Sequence, residues 1–420
     1  MRVHYQPKGF IHPSKPGHPE RPHRQMAALS GLLQMPEGKL SWAVAEPVEL
    51  AEAKIAHDPN YLKMISEADF SRTRAHSLDG GDTVLSETTL DAALTALGGA
   101  RAATAEIMAG QTSTAFVIAR PPGHHATKNA AMGFCVLGTA AWAALDARSR
   151  HGARVALIDP DLHHGNGSQN ILWDEPDILF ASTHEKGNWP GTGLPEETGG
   201  MAQVINVPLE KGSGSATMRE AWADIFDQVA EFGPDLIIVS AGFDAHGDDP
   251  LSGLNWTMED YSWFGKRLAE LADEICHGRV LAILEGGYDL QVLKHGVAAL
   301  AAELTELDDA CTSPGTVPTT DLMGWRAPHL GGYSNMPHPG QDALKVTKVS
   351  GRLWIEETST GQFLYTVPEF VKLISRDPLS ALVKEANKLG QLPIDLIIQL
   401  EAQAKRAGGF NPGRSNDFSG

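Results

Sequence analysis

The sequence predicts an α/β fold in which a central parallel β-sheet is flanked by helices. Six short runs rich in apolar and β-branched residues recur between residues 114 and 288, bounded by Gly, Pro or Asp. Such near-continuous runs are typical of strands that are buried on both faces of a sheet. Ala-rich or amphipathic helical stretches separate several of the runs, and this alternation indicates parallel strands joined by helices.

The six runs are the predicted strands, and two stretches between them are predicted helices. The strands cover 114–119, 154–159, 177–182, 202–209, 235–243 and 279–288. The helical stretches are 133–150 and 215–232. In an open α/β sheet, ligands bind beyond the carboxyl ends of the strands, so the residues after each run are the first candidates for a functional site.

Composition and charge restrict the class of protein. A chain of 420 residues that is 42% hydrophobic can bury a large core and form one large domain with a smaller one. No apolar run is long enough to span a membrane, and the N-terminus is polar and Pro-rich. We therefore expect a cytoplasmic protein with neither a membrane span nor a secretory signal. The net charge of −18 disfavours direct binding to nucleic acid.

The three cysteines restrict the kind of metal site. Cys135, Cys276 and Cys311 are widely spaced, and no Cys-x-x-Cys pair occurs. This spacing argues against a disulfide framework and against a thiolate zinc cluster. A metal ion would therefore need other ligands.

The C-terminal part of the chain is predicted to be a separate small unit. Residues 311–344 are rich in Pro, Gly, Ser and Thr and indicate a linker or irregular segment. Residues 345–420 are predicted to form an α+β unit, with two or three short strands followed by helices. Its apolar stripes are typical of a small core or a docking face. Formation of a homo-oligomer through this unit is therefore an alternative that the sequence leaves open.

Polar side chains follow four of the six predicted strands. In chain order they are His124 and His125, then Asp159, Asp161, His163 and Asn166, then Asp244, and finally Tyr288. Because the carboxyl ends of parallel strands meet at one edge of a sheet, we expect these side chains to form one site.

Three of these residues are candidate metal ligands. Asp161 and His163 stand two positions apart in an extended segment, so their side chains point to the same face. Asp244, at the end of another predicted strand, can supply a third ligand. Two carboxylates and one imidazole without cysteine fit zinc or ferrous iron, with an open position for water.

The adjacent histidines are candidates for proton transfer. A metal ion lowers the pKa of a bound water to about 7. One imidazole of His124 and His125 can take the proton from the attacking water and pass it to a leaving amine, while the other supplies a hydrogen bond and charge. Asp159 and Asn166 are candidates to orient the two rings. Tyr288, which follows a Gly-Gly turn, can donate to a developing oxyanion.

Five motifs in fixed order resemble the zinc-dependent histone deacetylase family. They are RPPGHHA, GFC, DPDLHHGNG, AGFDAH and LEGGYD. HHGNG is similar to the class II branch, and HPERPHR near the N-terminus also fits. The resemblance covers roughly residues 1–310 and implies that they form a deacetylase catalytic domain. It implies the arginase/deacetylase fold and hydrolysis of an acetylated amine by a metal-activated water.

The resemblance also implies a role for each motif residue. Asp159 pairs with His124 and Asn166 with His125. Class I relatives have Asp at the latter position, so the Asn should leave that imidazole less readily protonated. The remaining assignments are Asp161, His163 and Asp244 as zinc ligands, His124 and His125 as the acid–base pair, and Tyr288 as the oxyanion donor.

The substrate-binding positions follow from the same resemblance. Phe134 and Trp189 line the tunnel that holds the acyl-lysine stem. Trp189 stands where the family usually has Phe, and the larger ring narrows the entry. Gly133, Gly286 and Leu251 complete the predicted substrate-binding residues.

Further residues are assigned to supporting roles. Family members hold a structural potassium ion, and Asp159 and Ser182 match contributors to that site. Arg21 matches the arginine of an internal product channel. The remaining polar residues of the motifs are expected to shape loops or to support the site structurally: Glu285, Asp289, His164 and His246.

The choice of substrate stays open between acetyl-lysine and an acetylated polyamine. Polyamine-selective relatives carry an acidic gatekeeper after the metal-binding Asp, whereas Leu251 stands here, which favours acetyl-lysine. A protein that binds an acyl ligand without turnover is the alternative from another class, but the tyrosine and the metal ligands are all present. A dinuclear manganese ureohydrolase would need a DxHxD pattern, which DPDLHHGNG lacks.

Overall fold

The computed structural model describes residues 1–307, except 16 and 37, together with the backbone of three strands between residues 344 and 366. The strands before residue 308 are β1 (Arg2–Tyr5), β2 (Ser41–Val44), β3 (Ala75–Ser77), β4 (Val84–Ser86), β5 (Thr114–Ile118), β6 (Val155–Asp159), β7 (Ile178–Glu185), β8 (Val204–Leu209), β9 (Leu236–Ala241) and β10 (Val280–Leu284). The helices are α1 (Lys8–Ile11), α2 (Pro22–Leu32), α3 (Pro59–Ser66), α4 (Thr89–Met108), α5 (Thr139–His151), α6 (Asn166–Leu172), α7 (Ser215–Phe232), α8 (Met258–Cys276) and α9 (Leu290–Leu304). Two 3₁₀ segments, Leu50–Ile55 and Thr305–Leu307, complete this part.

Eight strands form one parallel sheet, in the order β2-β1-β5-β10-β9-β6-β7-β8. Strands β3 and β4 form a separate antiparallel pair. Helices cover both faces of the large sheet, so the apolar side chains lie in two clusters. One contains residues of α2, α7, α8 and α9, and the other contains residues of α3, α4 and α5. The predicted α/β fold with a central parallel sheet is confirmed.

The six predicted strands all occur in this sheet, as β5 to β10. The helix predicted over 215–232 has the same bounds as α7. The helix predicted over 133–150 begins later, at Thr139, because the preceding residues cannot join it. Gly133 and Phe134 have φ values of +56° and +70°, outside the helical region, and form a turn at the site instead.

The C-terminal part contains three described strands, β11 (Leu344–Val349), β12 (Arg352–Glu357) and β13 (Gln362–Thr366). They form an antiparallel sheet in sequence order, in agreement with the two or three short strands predicted there. The helices predicted after them, and Cys311, lie outside the described residues. The division at 310 and 344 stays a prediction.

The topology places the functional candidates at the middle of the sheet. Strands β5, β10, β9 and β6 are consecutive neighbours, and the four polar segments of the sequence follow these four strands. Their carboxyl ends therefore bring the segments together, as expected for a parallel sheet. Among the described residues, no helix is both long and apolar enough to cross a membrane.

Candidate active site

The three predicted metal ligands lie together at the ends of β6 and β9. Ligand atoms of Asp161, His163 and Asp244 all lie within 4.8 Å of one another, and all three residues are buried. His163 Nδ1 is 3.3 Å from Asp161 Oδ1 and 3.2 Å from Asp244 Oδ2. The side chains that were expected to share one metal ion are thus brought to one point.

Backbone amides hold the two carboxylates in place. The amide N–H of Leu162 donates to Asp244 Oδ1 at 2.9 Å, and that of Gly286 donates to Asp161 Oδ2 at 2.9 Å. A Cβ at Gly286 would overlap both carboxylates, so only glycine allows this close approach. Such contacts fix the orientation of ligands around a metal.

The electrostatics of this group suit a cation. Burial and the charge of Asp161 raise the pKa of Asp244. Burial opposes protonation of His163, but its hydrogen bonds to the two carboxylates raise its pKa to about 10. The carboxylates thus repel each other in a buried site, and a bound cation would relieve that repulsion. Two carboxylates and one imidazole are also a donor set that zinc and ferrous iron accept, so the residues fit the metal that the sequence predicts.

The tandem histidines lie beside the metal-ligand group, and each has its predicted partner. His124 Nδ1 is 3.0 Å from Asp159 Oδ2, and His125 Nδ1 is 2.8 Å from Asn166 Oδ1. The two ring centroids are 3.9 Å apart. His124 Nε2 lies 3.8 Å from Asp161 Oδ1, so this ring edge faces the metal-ligand group.

The pKa values of the two imidazoles are shifted in opposite directions. Burial favours the neutral form of His124, but the charges of Asp161 and Asp159 raise its pKa well above the ordinary value. Burial and the charges of His124 and His163 lower the pKa of His125 well below the ordinary value. The two adjacent rings thus differ in proton affinity, as expected where one imidazole accepts a proton and the other supplies a hydrogen bond and charge.

Tyr288 stands on the turn that follows β10. Gly287 has a φ of +113°, a conformation that favours glycine, and its turn connects β10 to α9. The Tyr288 side chain is buried beside Phe134, with ring centroids 5.8 Å apart. Burial raises the pKa of Tyr288 well above the ordinary value, so the phenol keeps its proton and can act as a donor.

An arginine of the N-terminal motif, Arg24, supports the tyrosine turn. Arg24 Nε donates to the carbonyl oxygen of Gly287 at 2.6 Å, and its Nη2 donates to the carbonyl oxygen of Glu285. Its guanidinium carbon lies 4.9 Å from the centre of the Tyr288 ring. The assignment of Arg21 to a product channel stays a prediction, and Arg24, three residues later in the same motif, is the arginine that contacts Tyr288.

The two predicted tunnel residues contact different parts of the site. The Trp189 ring lies edge-on to His125, with centroids 4.6 Å apart, and Trp189 is 45% exposed. A Cβ at Gly133 would overlap both of these rings, which explains the glycine before Phe134. Phe134 therefore lies on the Tyr288 side and Trp189 on the His125 side.

Asp249 is a functional candidate that the sequence analysis missed. Its Oδ2 accepts the backbone N–H groups of Tyr288 at 2.6 Å and of Asp289 at 2.9 Å, and its Oδ1 accepts that of Leu251 at 3.0 Å. Leu251, the predicted rim residue, is half-buried in the same turn. The acidic pair in DDPLSG is the sequence signal for this residue, although it does not indicate which backbone groups the carboxylate accepts.

Glu285 lies beneath the histidine pair. Its Oε2 accepts the backbone N–H groups of Gly123 at 2.6 Å and of His124 at 3.1 Å. Ligand atoms of Glu285, Cys135 and His124 lie within 4.8 Å of one another, which makes them a second buried group of potential metal ligands. The hydrogen bonds of Glu285 are those expected of a residue that shapes the histidine loop.

The other supporting residues have structural contacts. His164 lies 2.8 Å from Thr192 Oγ1 through Nδ1 and 3.0 Å from Gln169 Oε1 through Nε2. His246 Nδ1 accepts the backbone N–H of Asp248, and Asp289 Oδ1 accepts two N–H groups at the start of α9. These contacts hold loops around the site.

The predicted potassium contributors are neighbours in the sheet. Asp159 and Ser182 are register partners across β6 and β7. Ser182 Oγ lies 3.1 Å from His184 Nδ1, and Asp159 Oδ2 contacts His124.

The fold and this site define an α/β protein with a candidate metal-assisted hydrolytic centre, and comparison with known proteins agrees. A family model described as histone deacetylase domain matches residues 18–304. Histone deacetylase 14, chloroplastic, of Arabidopsis thaliana is 37% identical over 71% of this chain and 75% of its own length. A probable deacetylase of Archaeoglobus fulgidus is 34% identical over 67% of this chain and 79% of its own length.

Two solved structures share the fold. The HDA15 HD domain superposes with a TM-score of 0.67 at 32% identity and covers 72% of this chain and 90% of its own. An acetylpolyamine aminohydrolase from Burkholderia pseudomallei superposes with a TM-score of 0.65 at 26% identity and covers 73% of this chain and 99% of its own. The chain belongs to the histone deacetylase family. This membership supports a deacetylase, and members of the family generally use a metal.

Proposed function

We propose that this protein is a zinc-dependent deacetylase that hydrolyses the amide of an acetylated amine, with acetyl-lysine as its substrate class. The observation that carries the proposal is the buried convergence of Asp161, His163 and Asp244 with two imidazoles whose pKa values are shifted in opposite directions. A protein that only binds an acyl ligand would not need two differently poised proton carriers.

The metal would be held by the two carboxylates and the imidazole of the ligand group. When bound there, zinc would polarise the substrate carbonyl and lower the pKa of a water to about 7. Ferrous iron is a second ion that this ligand set accepts. A structural potassium ion is proposed between β6 and β7, at Asp159 and Ser182.

His125 is the proposed proton acceptor. Its Nδ1 faces the Asn166 carbonyl oxygen, while Asn166 Nδ2 donates to Met132 Sδ at 3.3 Å. Because that oxygen only accepts hydrogen bonds, the neutral ring carries its proton on Nδ1 and leaves the Nε2 lone pair free. Nε2 can take a proton from the attacking water and then give it to the leaving amine.

His124 and Tyr288 would stabilise the charge that develops. His124 would supply a positive charge beside the reacting atoms, because the charge and hydrogen bond of Asp159, which is not a metal ligand, also favour its protonated form. Tyr288 keeps its phenolic proton and can donate it in a hydrogen bond to the oxyanion. The acid–base work is thereby divided between one neutral and one charged ring.

The tunnel supports a substrate with a slender, uncharged stem. Phe134, beside Tyr288, and Trp189, beside His125, would form its walls, and Leu251, instead of an acidic side chain, would stand on the rim. These features favour acetyl-lysine. An acetylpolyamine is the second candidate, and likeness to the acetylpolyamine aminohydrolase favours it.

The test is acetate release from a panel of acetyl-lysine peptides and acetylpolyamines. The wild type and Tyr288→Phe are compared at equal zinc occupancy, measured by elemental analysis. We expect turnover by the wild type and a loss of about 10²-fold or more in the variant, the usual cost of removing one oxyanion donor. The preferred panel member identifies the substrate class.

Two outcomes would contradict the proposal. If zinc-loaded wild type releases no acetate from any panel member, the protein is not this deacetylase, and binding of acylated ligands becomes the next hypothesis. If Tyr288→Phe turns over as fast as the wild type, the oxyanion role of Tyr288 is wrong.

A cytoplasmic location stays a prediction, since two of the relatives are named as chloroplastic.

A further inference from the structure

We propose that Asp249 is a positioning residue for Tyr288: its buried carboxylate fixes the turn that carries the tyrosine and couples that turn to the substrate rim. The inference rests on the proposed deacetylase function. Neither the metal-ligand group nor the acid–base pair includes Asp249, and no motif that carries the family resemblance assigns it a role.

The hydrogen bonds show how one carboxylate can serve both turns. Oδ2 accepts the N–H groups of Tyr288 and Asp289, and Oδ1 accepts that of Leu251 within its own turn. Asp249 is 4% exposed, so water cannot readily replace these contacts. Hydrogen bonds from backbone N–H groups to a carboxylate are roughly twice as strong as those to a neutral acceptor.

The position of the phenol depends on this anchor. Asp289 begins α9 as its N-cap, so Oδ2 of Asp249 grips the chain at the junction between the Gly-Gly turn and the helix. Tyr288 is the residue at that junction. A shift of about 1 Å in a group that stabilises the transition state can lower the rate about 10²-fold.

The two turns have further supports that do not involve Asp249. Glu185 Oε2 accepts the N–H of Gly253 at 2.9 Å, which holds the rim turn to the end of β7. Arg24 holds the carbonyl oxygen of Gly287 from the other side. Substitution of Asp249 should therefore leave the fold in place and loosen the tyrosine selectively.

The first experiment compares Asp249→Asn and Asp249→Ala with Asp248→Asn, all at equal zinc occupancy. Asp248 is adjacent and acidic, but its side chain is 82% exposed, which makes it a matched control for charge. We expect kcat to fall about 10- to 100-fold for Asp249→Ala, and less for Asp249→Asn, which keeps one acceptor oxygen. KM should change less than kcat, because Asp249 meets the rim only through the Leu251 backbone, and its hydrogen bonds do not include Phe134 or Trp189, the proposed walls for the stem.

The decisive measurement is a double-mutant cycle with Tyr288→Phe. If Asp249 acts through the phenol, Asp249→Asn should lower kcat by less than about twofold once the hydroxyl is removed. A trifluoroacetylated lysine peptide, whose carbonyl is more reactive, keeps the slow variants measurable. Thermal unfolding of each variant tests whether the fold is retained.

The outcomes separate this inference from the proposed function. Equal losses of kcat in both backgrounds, or a change in KM alone, would overturn the role of Asp249 while leaving the deacetylase intact. If the wild type has no activity on any acetylated amine, the proposed function fails and the inference fails with it. Should Asp249→Ala not fold, Asp249→Asn alone completes the cycle.

Discussion

The substitution Asn166→Asp would place a carboxylate where His125 now has a neutral partner. His125 Nδ1 lies 2.8 Å from the amide oxygen of Asn166, and the charges of His124 and His163 help to hold its pKa below the ordinary value. A negative charge at this position favours the imidazolium form. The pKa of His125 should therefore rise.

The size of the shift follows from the separation of the charges. At an effective dielectric constant of about 20, unit charges about 4 Å apart interact by about 4 kcal/mol, which corresponds to about 3 pKa units. Burial of the new carboxylate opposes its ionisation and so reduces its effect on His125. We therefore expect the pKa of His125 to rise by about 1–2 units. Asn166 is the first residue of α6, where a negative charge stabilises a helix, so the variant should fold.

The pH dependence of kcat/KM with an acetyl-lysine peptide measures this shift. A general base is protonated and inactive below its pKa. A higher pKa for His125 should therefore move the acidic limb to higher pH by about 1–2 units. Asn170→Asp, at an exposed position of the same helix, adds the same charge and should leave the limb in place. An acidic limb that stays put in Asn166→Asp, or moves to lower pH, would refute His125 as the base.

Three further predictions concern the supports of the site. Glu285→Ala would strand two buried backbone N–H groups and lower the free energy of unfolding by about 2–4 kcal/mol, measured with urea, whereas Glu285→Gln should recover part of the loss. Gly286→Ala would push a Cβ into the metal carboxylates and weaken zinc binding about 10- to 100-fold in a metal titration. Burial opposes ionisation of Glu20, but Arg120 and Arg24 lower its pKa to about 2 from 4.5. Its contribution of about 3 kcal/mol is therefore present above pH 4.5 and lost as the pH falls towards 2, a dependence that Glu20→Gln should flatten in urea unfolding.

The sequence predicts the central sheet and the convergence of the metal candidates for a simple reason. Strands buried on both faces leave apolar runs, and in a parallel sheet the residues after those runs must share one edge. Asp161 and His163 follow one run and Asp244 follows another. Their convergence could therefore be predicted from the sheet alone, without predicting any individual side-chain contact. Strands β1 and β2 were missed because each has four residues, too few for a clear pattern.

Local pattern is a poor guide where a turn replaces regular structure. The segment 133–138 is apolar enough to extend the predicted helix, yet Gly133 and Phe134 adopt positive φ values there. What selects the turn is a contact with distant residues, since Trp189 and His125 leave no room for a side chain at Gly133. The helical period of the sequence contains no information about that contact.

The supports of Tyr288 illustrate a second limit. Arg24 is 263 residues away from Gly287 in the sequence, and Asp249 is 39 residues from Tyr288. Both side chains bind backbone atoms, which every residue possesses. The residues whose backbone they bind therefore show no sequence pattern that would reveal the contact. A motif can assign the phenol itself because the chemistry requires that side chain, whereas the residues that hold it still can be recognised only from the fold. For this reason the double-mutant cycle, and not a motif comparison, has to decide whether Asp249 belongs to the catalytic apparatus.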